Sequence, residues 1–362
     1  MTSYETRDAV TKLGEIDPEL AEFIKNAPPN PMASATFFGD FVQLSRKMPI
    51  PDPPATPTDY PFDLPVRDGR TTRVRVHKPS SPPSSGSPLF ILLHGGGFCL
   101  GDPSMVAADA KAIASALGAV VVAPSYRLAP ENPFPAAAHD VWDTLTWLAQ
   151  PSNASTLGAD LSVGFVIGGV SAGANLAAVA AQRYVAANKS ADAPKLTGVL
   201  LIIPYVLEPE LVPADKKDLW FSREQNADAL VINAKTMDWI TKAYKPDARS
   251  PDFSPFNVEG AHAGLPPVYF QVAGQDPLRD DGLVYERVLR ENGVRTRLDA
   301  YPGVPHGHKF TFPMLKSAVK SNVDFVKGAA WLAGKELADE EASEAYAAAA
   351  ASVTPQAAAR VN

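Results

Sequence analysis

The sequence predicts an α/β fold: a mostly parallel twisted sheet covered by helices on both faces, with a helical cap. Three observations carry that expectation. Short, nearly continuous apolar runs recur along the chain, separated by longer stretches with helical periodicity, as buried parallel strands and their crossover helices do. The hydrophobic fraction is 46% and the charged fraction 20%, enough to bury a sizeable core. The 35 prolines cluster rather than spread. At 362 residues the chain suits one large α/β domain with an accessory lid.

The elements follow in order. Residues 17–26 and 32–48 read as two short helices, and Phe37, Phe38, Phe41, Leu44 and Met48 line one face of the second. That face suits ordinary packing or a lid over a site. Residues 49–65 are rich in proline and cannot be helix or central strand, because proline lacks a donor and fixes φ; an extended connector is expected. A strand at 72–77 turns through a Pro/Ser loop into a second at 89–94. Further strands are expected at 119–123, 163–169, 198–203, 267–273 and 296–301. Helices are expected at 103–117, 134–149, 172–187, 278–292 and 315–335.

The interval 204–266 is too long for one crossover. Its Trp220, Phe221, Trp239 and Tyr244 indicate an insertion with its own helix near 234–244. The alanine- and glutamate-rich tail reads as a helix fraying into disorder. The expected organisation is therefore a cap segment and connector (1–65), a first core part (66–203), an insertion contributing to the cap (204–266), a second core part (267–336) and the tail (337–362).

Charge and composition exclude several classes. A net charge of -7 argues against nucleic acid or an anionic membrane as the main partner. No apolar run approaches a membrane span, and the N-terminus lacks a basic-then-apolar export region. The single Cys99 excludes an internal disulfide framework and a Cys-rich metal site. A cytoplasmic protein is expected, and a homodimer is compatible with this reading.

The chemistry sits at strand ends. Residues 169–173 read G-V-S-A-G after an apolar run and before a helical one. This is the strand–turn–helix context in which a nucleophile elbow presents its serine, here Ser171, above the sheet at a helix N-terminus. The second element is H-G-G-G at 94–97, ending another apolar strand. Glycines let the backbone approach a ligand and point N–H groups inward. Gly96, Gly97 and Ala172, the residue after the nucleophile, are the expected oxyanion-hole donors. His94 is expected to anchor the loop by hydrogen bonds.

With these motifs assembled, the sequence resembles the hormone-sensitive-lipase-like, H-G-G-G-type carboxylesterase branch of the α/β-hydrolase fold. The resemblance rests on H-G-G-G-F at 94–98, Y-R-L-A-P-E at 126–131, P-F-P-A-A at 133–137, G-V-S-A-G-A-N-L at 169–176, D-P-L-R-D-D at 276–281 and H-G at 306–307. It spans roughly residues 66–335. It implies a serine esterase needing neither metal nor cofactor, with a triad in the order Ser, Asp, His and a small-molecule ester as its partner. By resemblance the acid is Asp276, and the strand-end turn that holds it is where open α/β sheets place their sites. Asp280 and Asp281 fall in the next helix's first turn, where dipole complementation is their expected role. The base matching the family is His306, with His308 as the alternative and otherwise a partly exposed neighbour.

Other residues have structural readings. Arg127 and Glu131 are expected to pair beneath the site, His139 to lie at the surface, His77 and His262 to stand apart, and Cys99 to line the pocket wall. The family commonly has an acidic residue before the nucleophile and another glycine after the elbow; Val170 and Ala174 occupy those positions. The elbow is thus more apolar, which weakens analogy about substrate. The expected function is hydrolysis of esters of small to medium apolar substrates through an acyl-Ser171 intermediate. Two rivals share the scaffold: a non-hydrolytic elimination or cyclisation enzyme of secondary metabolism, and a small-molecule receptor, which the presence of His306 disfavours.

Overall fold

Strand patterning and helix ends set the architecture of the computed structural model, which describes residues 4–26, 35–47, 53–190, 192–258 and 260–353. The strands are β1 (Asp59–Pro65), β2 (Thr71–His77), β3 (Leu89–Leu93), β4 (Val120–Pro124), β5 (Phe165–Val170), β6 (Gly198–Ile202), β7 (Val268–Ala273) and β8 (Thr296–Tyr301). They form one sheet in the order β1-β2-β4-β3-β5-β6-β7-β8. Among these strands, β1–β2 and β2–β4 pair antiparallel and the other neighbours pair parallel. The expected fold class is the observed one.

The helices, in chain order, are α1 (Arg7–Lys12), α2 (Pro18–Asn26), α3 (Ala35–Lys47), α4 (Ala107–Leu117), α5 (Ala136–Leu148), α6 (Pro151–Thr156) and α7 (Ala172–Ala187). After them come α8 (Ser222–Gln225), α9 (Ala234–Tyr244), α10 (Arg279–Glu291), α11 (His308–Thr311), α12 (Lys316–Leu332) and α13 (Asp339–Ala351). Alternation along the strands divides the core between the two faces. In β3, Leu89, Ile91 and Leu93 join α5, α7, α3 and α9, while Phe90 and Leu92 join α4, α12 and α13.

Three elements differ from expectation. The connector ends early: residues 59–65 are the edge strand β1, paired from Asp59↔His77 to Pro65↔Thr71. An edge strand needs donors on one side only, so it tolerates its prolines; with Leu64 its only buried side chain, no apolar run announced it. The tail is an ordered helix through Ala351, because Ala342 and Ala349 are buried and Tyr346 packs against the α4–α12 face. Small side chains let it lie close to its neighbours.

Asp280 and Asp281 are the third difference. Both are fully buried, and they hold the insertion rather than merely facing a dipole. Asp280 accepts from the N–H groups of Phe221 (2.7 Å) and Ser222 (2.6 Å) and pairs with Arg279 (2.7 Å). Asp281 accepts from the N–H groups of Val206 (3.0 Å) and Leu207 (2.9 Å) and from Trp220 Nε1–H (3.1 Å). A carboxylate taken out of water needs such donors. No described helix is long and apolar enough to cross a membrane.

Candidate active site

β5 ends at Val170, and α7 begins at Ala172. The one residue between them, Ser171, has φ 56° and ψ -117°, a strained backbone held by its surroundings. Its N–H donates to Ile202 O at 2.8 Å. The elbow needs Gly173 for close approach, since a Cβ there would stand 2.3 Å from His94 O. Ser171, Asp276 and His306, the last two in the turns after β7 and β8, are brought together. Ser171 Oγ lies 2.9 Å from His306 Nε2, and His306 Nδ1 lies 2.7 Å from Asp276 Oδ2. The other Asp276 oxygen accepts from Leu278 N–H at 2.8 Å, and Asp276 is fully buried. A buried carboxylate on Nδ1 leaves Nε2 free to accept the serine proton.

The 94–97 loop abuts the elbow. A Cβ at Gly95 would lie 3.4 Å from Ser171 Cβ. Gly96 turns at φ 115°, and a Cβ there would meet Leu100 O at 2.1 Å, so only glycine fits. Gly97 lies beneath Ile240 of α9, whose Cδ1 would stand only 2.7 Å from a Cβ at that position. Ala172 occupies the first helical position of α7, where N–H groups lack intrahelical acceptors. His94 lies against the loop: Nδ1 is 2.7 Å from Gly95 O, the ring stacks on Tyr126 at 4.2 Å, and Tyr126 O–H donates to His94 O at 2.9 Å. Burial lowers the His94 pKa, favouring a neutral ring.

Several neighbours differ from expectation. Arg127 pairs with Asp140 (2.8 Å), because α5 presents that buried carboxylate beneath the Y-R-L turn; Glu131 instead meets Arg46 of α3 at 3.0 Å. His308 is buried rather than partly exposed. Burial pushes its pKa down to about 4, and it lies against Tyr301 (5.3 Å). His139 is half-buried, 3.6 Å from Asp252. His77 is buried beside Asp59 at 3.5 Å. His262 packs on Phe256 and Tyr285. Cys99, just after the glycine loop, is fully buried, and burial pushes its thiol up to about 12.

Residues of α3 and α9 reach this loop from two directions. Arg46 donates to Cys99 O (2.6 Å) and Ala129 O (2.7 Å). Phe38 meets Trp239 of α9 edge-on at 5.4 Å, and Tyr244 stacks on Phe98 at 3.9 Å. The Phe37 side chain and Met48 lie outside the described residues; Leu44 is exposed. Sequence reading missed Asn226, whose side-chain amide donates to Gly274 O (3.2 Å) and Asp276 O (2.9 Å). Nothing in the sequence signals that contact, which spans 50 positions.

A serine at a strand–helix elbow of such a sheet defines the α/β-hydrolase class. The family model described as alpha/beta hydrolase fold matches residues 90–310. An AB hydrolase superfamily protein of Schizosaccharomyces pombe is 34% identical, covering 89% of this chain and 95% of its own. Esterase LipI of Mycobacterium tuberculosis is 33% identical, covering 73% and 79%. The crystal structure of vibralactone cyclase superposes with a TM-score of 0.75 at 34% identity, covering 89% and 96%. The chain belongs to the hormone-sensitive-lipase-like carboxylesterase family of the α/β-hydrolase fold.

Proposed function

We propose that this protein is a carboxylic ester hydrolase in which Ser171 is the nucleophile, His306 the base and Asp276 its orienting acid. The observation that carries the reading is the continuous Ser171–His306–Asp276 hydrogen-bond relay of 2.9 and 2.7 Å. His306 takes the Ser171 proton as Oγ attacks the ester carbonyl, then delivers it to the departing alkoxide. The N–H groups of Gly96, Gly97 and Ala172 stabilise the tetrahedral oxyanion. Water, deprotonated by His306, then releases the acid and restores Ser171. The α3–α9 contact supports a cap built from the N-terminal segment and the insertion. Turnover of a short p-nitrophenyl ester, blocked stoichiometrically by a serine-directed phosphonate, is the expected result; an unreactive protein refutes the assignment.

A second reading is favoured by the likeness to vibralactone cyclase over 89% of the chain: the acyl-enzyme, once formed, is captured by a hydroxyl group instead of water. Mass analysis of products from hydroxylated esters separates acid from lactone or transferred ester. A cytoplasmic location fits the buried, unpaired Cys99 and is tested by cell fractionation. A homodimer fits the terminal position of β8 in the sheet and is tested by light scattering.

A further inference from the structure

The acid and base of the site stand on two different loops, and their hydrogen bond of 2.7 Å requires those loops to be fixed relative to each other. Part of that fixing is direct: Gly274 N–H donates to Tyr301 O at 2.8 Å and Gln275 N–H to Val304 O at 2.9 Å. The rest comes from the far end of the chain. Gly303 N–H donates to Leu13 O at 2.8 Å, and Gly303 O accepts from Asp17 N–H at 3.0 Å. Gln275 Nε2–H donates to Gly14 O at 3.2 Å. One short turn therefore bonds the residue before Asp276 and the residue three before His306.

We propose that the Leu13–Asp17 turn is a positioning element that pins the Asp276 loop to the His306 loop. The fit is close enough to be specific. A Cβ at Gly274 would stand 1.8 Å from Leu13 O and 2.7 Å from Gly303 N, and one at Gly303 would stand 2.2 Å from Asp17 N. Three backbones cross where no side chain fits. The turn is itself anchored. Val10 and Leu13 are buried with Val272 of β7 and Leu283 of α10. Asp17 Oδ1 caps α2, accepting from the N–H groups of Glu19 (2.9 Å) and Leu20 (3.0 Å). Gln225 bridges the same region, donating to Thr11 O at 2.9 Å and accepting from Arg279 at 2.8 Å. Leu13 and Asp17 act through the acid and base and touch no reacting atom, so their role is alignment.

This inference rests on the Ser171–His306–Asp276 reading. The test uses the full chain carrying Leu13→Ala, Asp17→Ala or Asp17→Asn, with Leu117→Ala on α4 as a remote control that also truncates a buried leucine. The first readout, without substrate, is the low-field proton NMR signal of a hydrogen held between His306 Nδ1 and Asp276. The second is the split between kcat and KM on a soluble ester. Leu13→Ala and Asp17→Ala are expected to broaden or abolish the signal and lower kcat about tenfold at nearly unchanged KM, since misalignment costs rate rather than binding. Asp17→Asn, which still caps a helix, restores both; Leu117→Ala lowers the melting temperature but leaves both readouts intact. If hydrogen exchange shows residues 10–20 loosened while the signal and kcat persist, the proposal is overturned. Should Leu13→Ala not fold, Asp17→Ala decides alone. A wild-type protein with no such signal, or one unaffected by His306→Ala, overturns the triad reading instead, and this inference with it.

Discussion

Ser171 has no freedom to be an ordinary turn residue: its φ of 56° and the glycine contacts around it place one hydroxyl against His306. Ser171→Ala should leave the fold intact and lower turnover by roughly 10⁴- to 10⁶-fold, measured with the same p-nitrophenyl ester. His306→Ala should be nearly as damaging, and the double variant little worse, because the residues act as a unit. His308→Ala removes a buried ring and should cost stability while leaving most of the chemistry. The reverse ranking would move the base to His308.

Two histidines also make the protein sensitive to acid. His77 has no hydrogen-bond partner at either ring nitrogen, and burial pushes it down to about 4; burial does the same to His308. Their ordinary value is 6.5, so the folded state favours the neutral rings. That stabilisation is complete above about pH 6.5 and is lost as pH falls toward 4, by at most about 3 kcal/mol for each residue. Asp281, pushed up to about 6 by burial, works in the opposite direction. Its protonation below that value relieves a buried charge. The net expectation is a lower urea midpoint at pH 5 than at pH 7, with a smaller difference in His77→Met. An unchanged difference in that variant assigns the acid sensitivity elsewhere.

Among elements, the insertion shows how a long irregular stretch is kept in place. Its short helices contribute few internal bonds, so buried Asp280 and Asp281 supply acceptors for its backbone. Asp281→Ala leaves the N–H groups of Val206 and Leu207 and the Arg223 guanidinium without that partner. Losing one member of such a buried arrangement costs about 3–5 kcal/mol. The expected readouts are that loss in denaturant unfolding and earlier proteolysis within 204–232; wild-type protection would show that packing alone holds the insertion. The regular helices were far easier to read: α7 and α9 begin and end where their periodicity does. The edge strand β1 was not legible, and α13 was legible as a helix but not as a packed one. One has prolines and a single buried residue, and the other is apolar only in the small-residue sense, so each is decided by its neighbours.

At the scale of the whole molecule, the sheet carries the site on its strand ends, and α9 packs over the glycine loop. Ile240 lies against Gly97 and Tyr244 stacks on Phe98, so the surroundings of the glycine loop are apolar. Each buried methylene adds about 0.8 kcal/mol, so kcat/KM should rise with acyl length until the chain meets the wall, then fall through overpacking. A maximum within roughly two to eight carbons is expected across p-nitrophenyl esters kept below their solubility limits. A steady rise through about sixteen carbons, with activation at an emulsion surface, would instead indicate a lipase that opens at interfaces.

The sequence alone determined the strand–helix alternation, the elbow at Ser171 and the glycine loop at 94–97, because each is written in contiguous residues whose local physics has few alternatives. Resemblance then supplied Asp276 and His306 from short motifs. Tertiary structure alone decided which partner each buried charge has: Arg127 with Asp140 rather than Glu131, Asp280 and Asp281 with the insertion's backbone, Asp276's turn with Asn226. It alone also placed residues 13–17 against Gly303. These choices depend on contacts across tens to hundreds of positions, and desolvation penalises an unpaired group only once the packed chain has closed water out.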